Sequence, residues 1–193
     1  MKSMFFAAAL AALPMTAATT AMAADNYVLD ASHSQILFSY NHLGYSTTYN
    51  MFSGFEGTIS FDSENPAASS VQVEFPLSTL FTGWEARFNH FMAEDFFGAT
   101  GDETISFTST GIEVTGETTA LITGDLTIND VTKSVVLDAK LNQQGEHPMA
   151  KKPWLGFDAT TTILRSDYNV GNFAPFVSDE LDVKISIEAM KAE

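Results

Sequence analysis

Three groups of residues in this chain have the types that chemistry uses. His33 stands beside Ser34 with Asp30 three positions upstream, the residue types of a hydrolytic triad. Adjacent side chains on an extended strand face opposite ways, however, and neither a nucleophile elbow nor a glycine run that would hold an oxyanion accompanies them. Turn and cap hydrogen bonds account for Asp30, Ser32 and Ser34 more simply, so no catalytic residue is predicted. The second group is the histidines: His33, His42, His90 and His147 are nowhere closer than nine residues. None has metal-ligand spacing, and no metal site is predicted. Arg87 and Arg165, the only arginines, form the third group, each in an irregular segment next to aromatic residues. Either suits a phosphate or a carbonyl, and the structural alternative is a salt bridge to Asp95 or Asp167. These groups point to recognition without catalysis.

The elements that must position them are strands. From Thr119 to Leu141 the pattern is plainest: Leu126 and Ile128 alternate with Asp125 and Thr127, Asn129-Asp130 interrupts, and Val135, Leu137, Ala139 and Leu141 resume against Ser134, Asp138 and Lys140. Period two on both sides of a two-residue turn signal predicts an antiparallel hairpin with one buried face. Ile36, Phe38 and Tyr40 form another strand, ended by Asn41 to Gly44. Phe55, Gly57, Ile59 and Phe61 follow on one side of the next, then Val71 to Leu77, Ile105 and Phe107, Ile112 and Val114, Leu155 to Ile163, and Leu181 to Ile187. Only between Thr82 and Phe97 does the period change, where Phe88, Phe91, Met92 and Phe96 fall at helical spacing. That segment is predicted as a short helix, packed on the core or lying as a lid over a cavity mouth. Gln143 to Pro153 reads as a long solvated loop, and Arg165 to Pro175 as an irregular excursion.

Eight or nine one-sided strands without crossover helices make an all-β, antiparallel chain, either a closed barrel or a two-sheet sandwich. The regular last strand favours the barrel, because closure removes an apolar edge that would otherwise invite aggregation.

Before the fold begins, Lys2, the apolar run Met4 to Leu13 and Ala21-Met22-Ala23 form a secretory signal, with cleavage expected after Ala23. Residues 24–193 are then expected to form a single exported domain, large enough to bury its core without disulfides, in keeping with the absence of Cys. Without Lys2, eight basic residues face 24 acidic ones, a formal charge of −16. A field of that sign, with no basic face, excludes nucleic acid as a partner. Phe is the dominant aromatic, 16 against five Tyr and two Trp, which suits a dry interior better than a sugar-stacking surface.

At this point whole stretches resemble the YceI-like, lipid-binding proteins of bacteria. The opening Tyr27-Val28-Leu29-Asp30-Ala31-Ser32-His33-Ser34, with Phe38, His42-Leu43-Gly44 and Phe52, carries the likeness first. Arg87, His90 and Asp95-Phe96-Phe97 continue it, then Gly124-Asp125-Leu126-Thr127-Ile128 with Val131-Thr132-Lys133, and finally Arg165-Ser166-Asp167-Tyr168 and Val177-Ser178-Asp179-Glu180. The resemblance covers essentially the whole chain after residue 23. It implies a lipocalin-like antiparallel β-barrel, usually periplasmic, whose long apolar pocket holds an isoprenoid or another long-chain amphiphile. The chain departs from the family pattern at Phe88, at Asn41 and at Asp102-Glu103, where the family commonly has Asp, a basic residue and Tyr-Pro.

In a closed barrel the inward side of each strand either fills the centre or lines a cavity. Phe38, Phe55, Phe61, Phe75, Phe91, Phe107, Leu126, Ile128, Phe157 and Ile163 are the expected apolar lining, and His42, Arg87, His90 and Arg165 the expected polar mouth. At roughly 0.8 kcal/mol per buried methylene-sized group, each five-carbon unit contributes about 3 to 4 kcal/mol before ordering costs. The tail would therefore supply most of the affinity and the head group the orientation. A diphosphate would approach against the acidic field, so a quinone or fatty amide stands beside a polyprenyl lipid as the expected ligand. No cofactor is required by this reading. Transient membrane contact for ligand exchange, and a monomer or homodimer, belong to the same expectation. The competing reading is a stress-related or partner-binding β-sandwich with a solid core and no carrier role.

Overall fold

In the computed structural model, which describes residues 24–193, alternation of apolar and polar residues becomes strand almost throughout; the predicted leader lies outside the described residues. In chain order the elements are β1 (Asp25–Leu29), β2 (Gln35–His42), β3 (Ser46–Ser53), β4 (Glu56–Phe61), β5 (Ser70–Pro76), β6 (Leu80–Phe81), α1 (Glu85–Met92), β7 (Thr104–Val114), β8 (Thr119–Ile128), β9 (Val131–Glu146), β10 (Pro153–Leu164) and β11 (Glu180–Lys191). All the strand pairs are antiparallel.

Eight of these strands close a ring in the order β1-β4-β5-β7-β8-β9-β10-β11 and back to β1. The sandwich alternative is thereby corrected: one continuous sheet curls on itself, and among the described residues no second sheet packs against it. The seam is unusual, because one edge of β11 is divided between two partners. Its far half pairs with β1, Tyr27 opposite Lys191, while Asp182 to Ser186 pair with Ser39 to Gln35 of β2. The sheet therefore continues past the seam through β2, β3 and β6, and the inner faces of β2 and β3 look into the same interior.

Register follows local chemistry. Asn129 and Asp130 both take positive φ, 51° and 59°, the two-residue turn that matches strand twist, and so Ile128 meets Val131 across the hairpin. A bulge between Ser109 and Gly111 shifts the parity of β7. Ile105 and Phe107 thus face inward before it and Ile112 and Val114 after it, although their numbers differ in parity.

The closed ring has the eight strands expected, and the local reading differs in two places. β1, β3 and β6 were not marked as strands, while the two short strands expected at Ile105–Phe107 and Ile112–Val114 are one, β7. The polar loop expected over Gln143 to Pro153 is shorter, because β9 runs on to Glu146. Alternation is uninformative there, since both faces of that extension are polar.

The helix forms where the period changed. None of its residues is fully buried, yet Phe88, Phe91 and Met92 pack against the core, together with Phe97 and Ala99 just beyond. In the same core Phe75 lies against Phe52 and Phe55, the rings tilted with centroids 5.0 and 5.2 Å apart.

Candidate functional site

The inward faces do not meet across the barrel. They enclose a cavity of about 1100 Å³, bordered by inner-face residues of most of the strands. That is at or above the upper end of ordinary small-molecule sites, roughly 300–1,000 Å³. A twelve-residue strand such as β10 rises about 40 Å along itself. At barrel tilts of about 35–45° the interior is therefore long as well as large. Every expected lining residue borders this space: Phe38, Phe55, Phe61, Phe75, Phe91, Phe107, Leu126, Ile128, Phe157 and Ile163. A solid centre is ruled out with the sandwich.

His42, Arg87, His90 and Arg165 also border the cavity, gathered at the end where α1 and the 165–179 excursion lie. Their hydrogen bonds give them unequal freedom. Arg165, only 7% exposed, donates from Nε to Ser178 O, from Nη1 to Val170 O and Asn172 O, and from Nη2 to Val177 O, at 2.8–3.1 Å. Four of its five N–H groups thus hold the excursion's own backbone. Burial pushes its pKa down, partly offset by Asp179, but a guanidinium stays charged regardless. Arg87 donates from Nη1 to Thr82 O at 2.8 Å, tying α1 to the segment that precedes it. Among the described residues neither arginine forms the carboxylate pair weighed above. Asp95 pairs with His90 at 3.2 Å and Asp167 with Lys133 at 3.9 Å.

Two polar groups escaped the sequence reading. Tyr168, 2% exposed, borders the cavity, and its hydroxyl has no partner among the described residues. Burial, with Asp167 nearby, pushes its pKa up to about 12, so it remains an O–H donor at any physiological pH. Asn50, also 2% exposed, lies on the inner face of β3 between Thr48 and Phe52, with both amide atoms unpaired. A buried polar group without a partner costs about 1–3 kcal/mol, so Tyr168, which borders the cavity, favours a ligand that supplies one, whereas Asn50 is not part of the cavity border. Tyr168 was quoted only within a motif; strand alternation carries no signal for a tyrosine in a 3-10 turn.

On the outer wall, Asp30, His33 and Glu188 bring ligand-type atoms within 4.8 Å of one another. Several of these atoms already have protein partners. Asp30 accepts from Ser32 and meets His33 Nδ1 at 2.7 Å, while Glu188 Oε2 accepts from Trp154 Nε1 at 2.8 Å. Ser34 Oγ faces Glu188 O and is no nucleophile presented to a base.

Comparison with known proteins decides the family. The YceI-like domain matches residues 27–189. The chain belongs to the YceI-like family. Among YceI-like relatives, a UPF0312 protein of Ectopseudomonas mendocina is 39% identical over 192 residues, covering 95% of this chain and 97% of the relative. Protein YceI of Shigella flexneri is 39% identical over 179 residues, 92% of each chain. Solved structures share the barrel. BcnA of Burkholderia cenocepacia matches with a TM-score of 0.74 at 23% identity, over 83% of this chain and 98% of that one. The YceI protein of Campylobacter jejuni matches at 0.70 and 28% identity, over 79% and 90%. A polyisoprenoid binding domain from Saccharophagus degradans matches at 0.66 and 14% identity, over 86% and 98%.

Proposed function

We propose that this barrel is a non-enzymatic binding or carrier protein for one long-chain amphiphile, an isoprenoid or a similar lipid, acting in the periplasm to which the expected leader would direct it. The observation that carries the reading is the cavity itself, about 1100 Å³ and walled along its length by Phe, Ile, Leu and Val. A void that size in a protein interior normally collapses or fills with side chains, and an apolar one is kept for an apolar guest. The polyisoprenoid-binding description of the Saccharophagus degradans domain agrees with it.

The head group lies at the Tyr168 end and is neutral, with a carbonyl that accepts from Tyr168 Oη. Support comes from the hydroxyl left without a partner and from the engagement of Arg165 with backbone carbonyls. The formal charge of −16 outside residues 1–23 disfavours a diphosphate in the same way. A quinone or a fatty amide meets these conditions.

The test is mass spectrometry of what co-purifies from the native host, followed by delipidation and rebinding monitored through Trp84 and Trp154. Recovery of a neutral long-chain lipid with saturable rebinding is expected. Recovery of phosphorylated prenols alone would overturn the head-group assignment, and neither extractable ligand nor saturable uptake would overturn the carrier reading.

A further inference from the structure

The cavity has two rims of unlike chemistry. At the end that holds α1, four large apolar side chains border the cavity and yet stand in solvent: Leu43, Trp84, Phe173 and Phe176 are 49–73% exposed. They come from three separate segments: the β2–β3 turn, the position before α1, and the excursion between β10 and β11. Backbone contacts hold two of these segments together, with Leu43 N donating to Phe176 O at 2.9 Å and His42 bridging Val177. Phe173 is seated against Phe96 and the His90 ring, with centroids 5.7 and 6.4 Å apart. Tyr45, in the same turn as Leu43, is 88% exposed and stands clear of the cavity. At the opposite end the border is Ser70, Gly116, Glu117 and Thr118, small or polar and exposed, beside Val114.

We infer that the Leu43–Trp84–Phe176 rim docks on the surface of a lipid bilayer, and that the chain-like guest passes through this mouth while the polar rim stays in water. The inference rests on the binding role proposed above and adds where exchange happens and with what partner. Long apolar chains are all but insoluble, so a protein that accepts one gains by placing its opening against the phase that holds them. Aromatic side chains, Trp and Tyr above all, settle at the headgroup level, and a contiguous apolar rim continuous with an apolar cavity lets a tail move without crossing water. Cationic residues do not drive the contact. The chain is strongly acidic and Lys133 at this end is paired with Asp167, so anionic lipid should not strengthen the contact.

The test uses delipidated protein and a conjugated-polyene fatty acid as probe, whose binding is read by energy transfer from tryptophan. Uptake is measured from dilute solution and from phosphatidylcholine/phosphatidylethanolamine vesicles, with brominated acyl chains reporting contact with Trp84. Quenching of the exposed tryptophan by brominated lipid is expected. Tyr45→Ser is expected to keep uptake from solution and slow transfer from vesicles about tenfold, and Phe176→Ser to slow transfer further. Normal uptake from solution without quenching, or vesicle transfer unaffected by both substitutions, would overturn docking and leave the binding role standing. Absence of uptake from either source would overturn both.

Discussion

The ring of Phe107 lies across the backbone of Gly124 on the neighbouring strand, so closely that a Cβ at position 124 would stand 2.3 Å from Phe107 Cζ and 2.7 Å from Thr108 O. Gly124 occupies an inward position between Ile122 and Leu126, and the space its missing side chain leaves is taken by an aromatic ring that borders the cavity. The first prediction follows directly. Gly124→Ala is expected to destabilise the fold by about 1–3 kcal/mol, because the carbonyl cannot retreat and the ring must swing toward the barrel centre. Urea unfolding measures the cost; a lower saturating amount of long-chain ligand measures the narrowing.

Arg165 separates a structural role from a binding one. Removing its guanidinium leaves the carbonyls of Ser178, Val170, Asn172 and Val177 without their donor. Arg165→Ala is expected to cost about 3 kcal/mol or more. Arg165→Lys keeps the charge and loses the fork, so it should also destabilise while leaving affinity in the folded protein nearly intact. A lysine variant of normal stability and much weaker binding would instead make Arg165 a ligand clamp.

Tyr168→Phe should act with opposite signs on two measurements. Deleting a buried hydroxyl without a partner is expected to stabilise the empty protein by about 1 kcal/mol. The same change is expected to weaken binding of a ligand with a carbonyl head by about tenfold and to leave a plain hydrocarbon probe unaffected. Equal loss for both probes would place the head group elsewhere.

Acid should loosen the segment after α1. Glu103 accepts from the backbone N–H of Thr100 and Gly101, its own backbone N–H adding to them, and its pKa falls from 4.5 to about 2. A carboxyl lowered on folding contributes stability above 4.5 that is lost as pH falls through about 2. Lower protection of the Thr100 and Gly101 amides, measured against their intrinsic exchange rates, is therefore expected in the wild type as pH falls from 4.5 toward about 2, and already at neutral pH in Glu103→Gln. Glu103 also closes the turn that anchors Leu77 and Ser78.

On the outer wall the Asp30–His33 pair works over a different range. The hydrogen bond to Asp30, with its charge and that of Glu188, raises His33 above 6.5. Burial tends to raise Asp30, but bonds from His33 and Ser32 hold it below 3.8. The stabilisation linked to His33 is complete below 6.5 and fades as pH rises through the raised value. That linked to Asp30 is complete above 3.8 and fades as pH falls through the lowered one. Titration of His33 by NMR should give a raised midpoint that returns toward 6.5 in Asp30→Asn.

What could be read from the chain beforehand was whatever alternation controls. The Asn129-Asp130 hairpin, the helix near Phe88 and Phe91, and the apolar lining from Phe38 to Ile163 all rest on side chains whose burial sets their spacing. β3 was missed because its inward positions are Ser46, Thr48, Asn50 and Phe52, three of them polar, so no hydrophobic period marks it. The partners of Arg165 were equally hidden: it binds main-chain carbonyls, which every residue type carries alike. Trp84 and Phe176 were visible as residues, but only the closing of the ring places them beside one another's segments at one mouth.

The divided edge of β11 dictates an order of assembly. Residues 180–191 are the shared partner of β10, β1 and β2, so a chain emerging from its N-terminus can zip its hairpins early yet stays an open trough until this last segment arrives. Sealing joins stretches far apart in sequence, the kind of contact that forms slowly.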